Sequence, residues 1–367
     1  MISKRVQAID TSGIRKVFDL GAKLKDPINL SIGQPDFDAW PELRQGAKRA
    51  IDEGKSGYTV TQGIEPLRQA LRERYGLKPA QEAFDFDVFV TSGVSGALML
   101  SYLALLDPDD EILIPDPFFC IYKDLLTLIH AKPVFYDCYE TEFHLPIDEI
   151  ESKISSKTKA ILINSPSNPT GISLSEEELD AVIEIARKHD IWLIYDEIYE
   201  IFNYDAQHIN LLGKCEKTLI INGFSKSFGI PGWRVGFAIG PKVLLQEMIK
   251  VQQYSFVCSP SIAQWGALEG FSISFEEVVN EYRAKRDFIY DALKDKFNVV
   301  KPNGAFYIFP EAPGGKAEEF VKKCIENNLL VIPAGGVFSN RDTHFRISFA
   351  AKQETLEKAV EVLHGLV

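Results

Sequence analysis

NGFSKSFGIPGWRVG, residues 222–236, sets a single lysine, Lys226, among small and apolar residues, with Arg234 eight positions later between Gly232 and Gly236. The run before it, Thr218-Leu219-Ile220-Ile221, reads as a buried strand, so Lys226 is predicted just beyond that strand's carboxyl end. In open α/β sheets, ligands bind in the crevice outside those ends. A lysine that loses part of its hydration there has a lowered pKa, and its free amine can attack a carbonyl to form a Schiff base. Taken alone, though, a lysine is more often a solvated surface charge.

Other stretches repeat the pattern of apolar run followed by polar loop. Ile191 to Tyr195 is predicted as a strand that ends on Asp196, and a carboxylate in that position is costly to bury without a cationic partner. Tyr199, three residues on, would face the same way in a helical turn. Phe84 to Thr91 reads as a strand and Ala97 to Leu106 as a helix, joined by Ser92-Gly93-Val94-Ser95-Gly96. The amides of Val94 and Ser95 should open that helix, and unpaired N–H groups with the helix dipole make a phosphate site. The same turn is one residue short of the GxSxG nucleophile elbow, so an α/β-hydrolase is a rival reading, with His208 and His344 downstream but in no recognisable setting. Ala160 to Asn164 leads into Ser165-Pro166-Ser167-Asn168-Pro169-Thr170-Gly171, and Ser175 with Glu178 forms a capping box, stapled by Leu174 and Leu179. Further strands are predicted over Ile28 to Ile32, Glu111 to Pro115, Val235 to Gly240, Asn303 to Phe309 and His344 to Phe349, and alternation puts Arg346 on one face with Ser348. GxGxxG is absent, and Ser225 stands where a Walker loop requires glycine.

With 367 residues the chain exceeds a usual single core, and two domains are expected. A net charge of -12 argues against nucleic acid or an anionic membrane as partner, since both demand a basic face. Five cysteines without CxxC spacing read as buried free thiols. Lys4 and Arg5 precede no apolar stretch, and no run is long enough to span a bilayer, so a cytoplasmic location is expected.

SKSFGIPGWRVG, together with SIGQPDF (31–37), NSPSNPTG (164–171), YDEIY (195–199) and FRISFA (345–350), resembles the motif set of the fold-type I, class I pyridoxal-phosphate aminotransferases, closest to the aspartate/aromatic branch. The resemblance runs nearly end to end. It implies an α/β fold with a large cofactor-binding domain, 40–275, whose mainly parallel sheet lies between helices, and a smaller α+β domain built from 1–39 and 276–367. It also implies that Lys226 bonds the cofactor and then serves as the base at Cα, that Asp196 keeps the pyridine nitrogen protonated, and that Tyr199 and Asn168 bond its phenolic oxygen. Phe119 would stack on the ring. Arg234, Ser95, Ser225 and the Gly93-Val94-Ser95 turn would hold the phosphate, and Tyr58 would reach the phosphate of a neighbouring subunit, making a homodimer. Arg346 and the Gly33 amide would clamp the carboxylate of an amino acid or 2-oxo acid, and transamination would follow a ping-pong course.

Two departures stand out. Gly223 occupies the place where many relatives carry serine, which removes one phosphate hydroxyl and leaves Ser95 and Ser225 as the candidates to replace it, and the phosphate turn reads Gly93-Val94 rather than a glycine pair. A C–S β-lyase of the same fold would share Lys226, Asp196 and Arg346, and a non-catalytic effector-binding module would share the fold. By analogy, Phe18, Tyr58 and Phe119 favour aromatic or medium apolar side chains.

Overall fold

The computed structural model describes residues 2–11, 13–22, 24–77 and 84–367, with the side chain of Phe18 outside the described set. After the two-residue strand β1 (Ile28–Asn29), seven strands form one sheet: β2 (Phe86–Thr91), β3 (Glu111–Asp116), β4 (Lys132–Asp137), β5 (Thr158–Asn164), β6 (Trp192–Asp196), β7 (Thr218–Gly223) and β8 (Gly236–Pro241). Their spatial order is β2-β8-β7-β6-β5-β3-β4, with β8 antiparallel to both neighbours and the other pairings parallel.

Parallel strands covered on both faces read as unbroken apolar runs, and successive side chains still alternate between faces. Leu193 and Tyr195 of β6 join Ile161, Ile163 and Ile220 in one core with Leu67, Leu179 and Val182 from the helices Glu65–Tyr75 and Glu176–Lys188. Ile194 joins Leu162, Leu219 and Ile221 in the opposite core, covered by the helices Gly93–Leu105 and Lys242–Gln253. Alternation therefore fixes which residues reach which layer. It also lines up the carboxyl ends of β2, β3, β5, β6 and β7 along one edge, where Asn164 pairs in register with Asp196 and Gly223 with Gly236.

A third core is built from the helices Glu276–Leu293, Ala317–Glu326 and Gln353–Gly365 around β9 (Tyr307–Ile308), β10 (Leu329–Leu330) and β12 (Phe345–Ser348), with Ile332 of β11 (Ile332–Pro333) packing instead beside Val17, Val337 and Phe338. These strands form an antiparallel β11-β12-β9 sheet and a parallel β1-β10 pair. The strand predicted over Asn303 to Phe309 shrinks to two residues because the preceding backbone is engaged elsewhere. Gly304 N donates to Gly171 O at 2.8 Å, and Ala305 N to Phe202 O at 2.8 Å. The strand predicted from Ile28 to Ile32 likewise pairs only over its first two residues, and Leu30 O then accepts from Ser348 N at 2.8 Å. Among the described residues no helix is long and apolar enough to cross a membrane.

A close backbone approach joins the sheet to the helix that faces the crevice. A Cβ at Gly236 would lie 2.5 Å from the carbonyl carbon of Gly93 and 2.7 Å from the nitrogen of Val94, and backbone atoms cannot rotate away. Overpacking of this kind costs about 1–3 kcal/mol. Gly236→Ala should therefore lower the unfolding free energy by that amount and bring the denaturant midpoint down, while Gly232→Ala, with nothing within 4 Å of its Cβ position, should leave the midpoint in place. Equal midpoints for the two variants would contradict the packing described.

Candidate active site

The loops leaving the aligned strand ends enclose a cavity of about 260 Å³, which Lys226, Asp196, Tyr199, Asn168 and Arg346 all line. Each side chain arrives there because its strand stops: Asp196 is the last residue of β6, Asn168 follows β5 by four residues, and Lys226 follows β7 by three, in the short helix Phe224–Ser227.

Asp196 is 2% exposed. Its Oδ2 accepts from the Tyr122 hydroxyl at 2.8 Å and its Oδ1 from Ile198 N at 3.2 Å. Hydrogen bonds to a charged group contribute roughly 1.5–3 kcal/mol. Burial still wins, pushing the carboxyl up to about 6 against those two bonds and the Lys226 charge. Asn164 holds the strand end from both sides: its Nδ2 donates to Asp196 O at 2.8 Å, and its Oδ1 accepts from Asn168 N at 2.9 Å.

Lys226 is only half-buried by surface area because it opens into the cavity, yet protein surrounds its ammonium, and the direction of its shift follows those surroundings. Burial, then the Arg346 and Arg234 charges, lower it to about 8, with Asp196 opposing. At pH 7 roughly a tenth of such amines are unprotonated, against roughly one in three thousand at the ordinary value. Its Nζ donates to Gly33 O at 2.5 Å.

Arg346, expected on a strand face, is 1% exposed rather than half-exposed. It lies between the rings of Tyr307 and Phe338, at 4.6 and 4.5 Å from their centroids. Its Nη1 donates to Asn168 Oδ1 at 3.0 Å and its Nη2 to Ser31 O at 2.6 Å, while Nε has no partner among the described residues. Because arginine only donates, the Asn168 oxygen is the committed atom and its NH2 remains available to donate. Tyr199 shares a 2.8 Å hydrogen bond with the Tyr307 hydroxyl, and any side chain at Gly33 would collide with that hydroxyl.

At the other end of the cavity stand Val94, Ser95, Ser225 and Arg234. The helix Gly93–Leu105 begins with no side-chain cap, so its first amides have no intrahelical partner. Gly93, at φ +73°, does not line the cavity; it gives up its side-chain space to the Arg234 guanidinium. The absence of a hydroxyl at position 223 has a steric correlate: a Cβ there would lie 3.1 Å from both Gly236 Cα and Val235 O.

Phe119 lines the cavity edge-on to Tyr122, with centroids 5.9 Å apart. Tyr58 does not: it is 89% exposed on the surface of the single chain. The hydrolase reading loses its partners, because His208 stands 2.7 Å from Glu197 and His344 packs on Tyr139, and neither lines the cavity that Ser95 lines. Sequence reasoning missed Tyr122, Tyr307, Asn164 and Ser31. The first two sit in aromatic stretches that read as core, and Ser31 contributes only a carbonyl. Three features fit an anionic, ring-bearing cofactor and a carboxylate substrate: the uncapped helix start beside Arg234, the unpartnered Arg346 Nε, and a buried carboxylate that lacks a cation within hydrogen-bond distance. In the cofactor-free protein, an amine-directed reagent should modify Lys226 with a half-maximal rate near pH 8, since the free base appears above the lowered pKa. A rate still climbing at pH 10, as for surface lysines, would contradict the environment described.

Residues 25–363 match the family profile "Aminotransferase class I and II". The chain is 39% identical to the probable aspartate aminotransferase of Methanocaldococcus jannaschii over 99% of both chains. It is 34% identical to the aromatic-amino-acid aminotransferase 2 of Thermococcus litoralis over 98% of this chain and 96% of that one. Aspartate aminotransferase from Thermus thermophilus with maleate superposes with a TM-score of 0.94 at 31% identity over all of both chains. The aromatic aminotransferase from Pyrococcus horikoshii superposes with a TM-score of 0.87 at 33% identity, over 96% of this chain and all of that one. The chain belongs to the class I and II aminotransferases and is a pyridoxal-phosphate-dependent enzyme of transamination.

Proposed function

We propose that the cavity is the site of amino-group transfer between an L-amino acid and a 2-oxo acid, with the residues around it dividing the work as follows. The carrying observation is that an amine with a lowered pKa, a buried carboxylate and a buried guanidinium line one cavity. Pyridoxal phosphate, when bound, supplies a protonated pyridine ring that accepts the electron pair as the Cα–H bond breaks. Asp196 holds that ring nitrogen in its charged form, and the pairing offsets the burial that raises the carboxyl when it stands alone. Asn168 and Tyr199 donate to the phenolic oxygen. Arg234, Ser95, Ser225 and the amides at Val94 and Ser95 hold the phosphate. Arg346 takes the substrate carboxylate on a planar, bidentate donor face, with Gly33 beside it. Lys226, in its unprotonated form, takes the proton from Cα, a step typically worth roughly two to four orders of magnitude in rate.

The division at 40–275 against 1–39 with 276–367 is supported by the core around Tyr282, Tyr307 and Phe345, into which Ile198, Tyr199, Phe202 and Tyr204 also pack from the segment after β6. A homodimer in which Tyr58 serves the neighbouring site is supported by an exposed apolar group of Tyr58, Val60, Tyr254 and Phe256, at 89, 58, 92 and 45%. Large apolar side chains left this exposed are available to an interaction surface. The Tyr58 loop is held toward that group, Gln252 Nε2 donating to Thr61 O at 2.6 Å and Gln264 Nε2 to Thr59 Oγ1 at 3.2 Å. A cytoplasmic location is in keeping with five free cysteines. The preferred donors are aromatic or medium apolar amino acids, supported by Phe119 and Ile121 in the cavity wall and by the aromatic aminotransferases among the relatives.

With a 15N-labelled aromatic donor and a 2-oxo acid, the label should appear in the product amino acid, with parallel double-reciprocal plots, and sedimentation should give twice 41.2 kDa. Release of the label as ammonia with pyruvate would mean elimination, and spectral change without turnover would mean a binding module.

A further inference from the structure

A second hollow of about 440 Å³ opens from the first, and the two share Ile14, Gly33, Phe119 and Ile121. Its floor is one face of the helix Ile121–Ile129: Ile121, Asp124, Leu125 and Leu128 follow at the three- and four-residue spacing that stacks side chains along a helix. Ile32 and Ile14 close it from the other side. It therefore leads away from Gly33, next to the carboxylate clamp, for two helical turns, about 10 Å from Ile121 to Leu128.

The walls are apolar with two charged exceptions. Arg15 is ion-paired with Asp19 at 3.1 Å. The carboxylate of Asp124, half-buried, has no hydrogen bond or ion pair among the described residues, and the residue lies one turn beyond Ile121. Lys123 and Asp10 are the charges that reach it, with opposite effects, and burial raises its carboxyl. A carboxylate in an apolar hollow with no donor of its own is set to accept one from a ligand, and it repels a second carboxylate.

Resting on the transaminase reading above, we infer that this annex holds the substrate side chain and that Asp124 accepts a hydrogen bond from a donor at its far end, selecting hydroxyphenyl side chains over phenyl and over acidic ones. The substrate class is an amino acid that is apolar along its length and carries an O–H at its tip. Asp124 is remote from Cα, so its contribution is to binding, and its loss should raise KM with kcat unchanged.

The test uses two carboxylates that lack an amine and so cannot react, 3-(4-hydroxyphenyl)propionate and 3-phenylpropionate, titrated by calorimetry into the cofactor-loaded enzyme. Because Asp124 is only half-buried, the hydroxyl should tighten binding about tenfold, the low end for a charge-assisted hydrogen bond. Asp124→Leu should bring the ratio to about one without weakening 3-phenylpropionate, and Asp124→Asn, which keeps an acceptor, should retain part of the preference. In turnover, the tyrosine-to-phenylalanine ratio of kcat/KM should fall by the same factor in Asp124→Leu, through KM. An unchanged ratio in Asp124→Leu, with transamination intact, would overturn the role of Asp124 alone. Tighter binding of succinate than of either probe would give the annex to Arg15 and overturn the proposal. Failure of every probe to bind, with no amino donor reacting, would overturn the site reading on which it stands.

Discussion

Burial acts in opposite directions on two groups that the chemistry needs charged differently, and the structure is organised around that conflict. It lowers Lys226 toward a free amine and raises Asp196 toward a neutral acid. The first effect makes a base available near neutral pH. The second works against the role of the carboxylate, and two hydrogen bonds from Tyr122 and Ile198 reduce it without cancelling it. A cation beside Asp196 resolves the second without disturbing the first, and a protonated ring nitrogen is such a cation. Arg346 and Arg234 add to the lowering of Lys226, so the same guanidiniums that suit a carboxylate and a phosphate also tune the amine.

Holding those charges in place requires loops that cannot drift apart, and the structure ties them with hydrogen bonds that cross from one layer to the next. Arg346, from the small antiparallel sheet, reaches Asn168 beyond β5 and Ser31 beyond β1. Tyr307 joins Tyr199, and Gly304 joins Gly171. The ties to Asn168, Tyr199 and Gly171 reach loops at the carboxyl edge of the large sheet, and the one to Ser31 holds the segment that follows β1. The cost appears in the shortened strand before Tyr307, whose backbone groups serve the loops instead of a ladder.

Lys226 and Asp196 were legible in the sequence because each is a charged residue beyond an apolar run, where a charge needs a reason, whereas Asn168 and Arg346 were legible only through the motifs NSPSNPTG and FRISFA. Alternation along β5 and β6 gave the layers, and the turn after β2 gave the helix start, although the helix begins at Gly93 rather than Ala97. Tyr122 and Tyr307 were not legible, since an aromatic residue among aromatics has the pattern of core and its hydroxyl partner lies 74 or 108 residues away. Burial of Arg346 was equally hidden, because it follows from the rings of Tyr307 and Phe338 closing on it from separate strands and loops. Strand length failed where tertiary hydrogen bonds outcompeted local pairing. Tyr58, given a cofactor role by resemblance, lies exposed and outside the cavity.

The central claim is that one amine, at the end of β7, bonds the cofactor. Reduction of the loaded enzyme with borohydride, followed by digestion and mass spectrometry, fixes the phosphopyridoxyl group to whichever lysine held it. The account predicts one adduct per chain, on the peptide that carries Lys226, and its loss in Lys226→Ala. A stoichiometric adduct on any other of the chain's lysines, or unchanged labelling of Lys226→Ala, would contradict it.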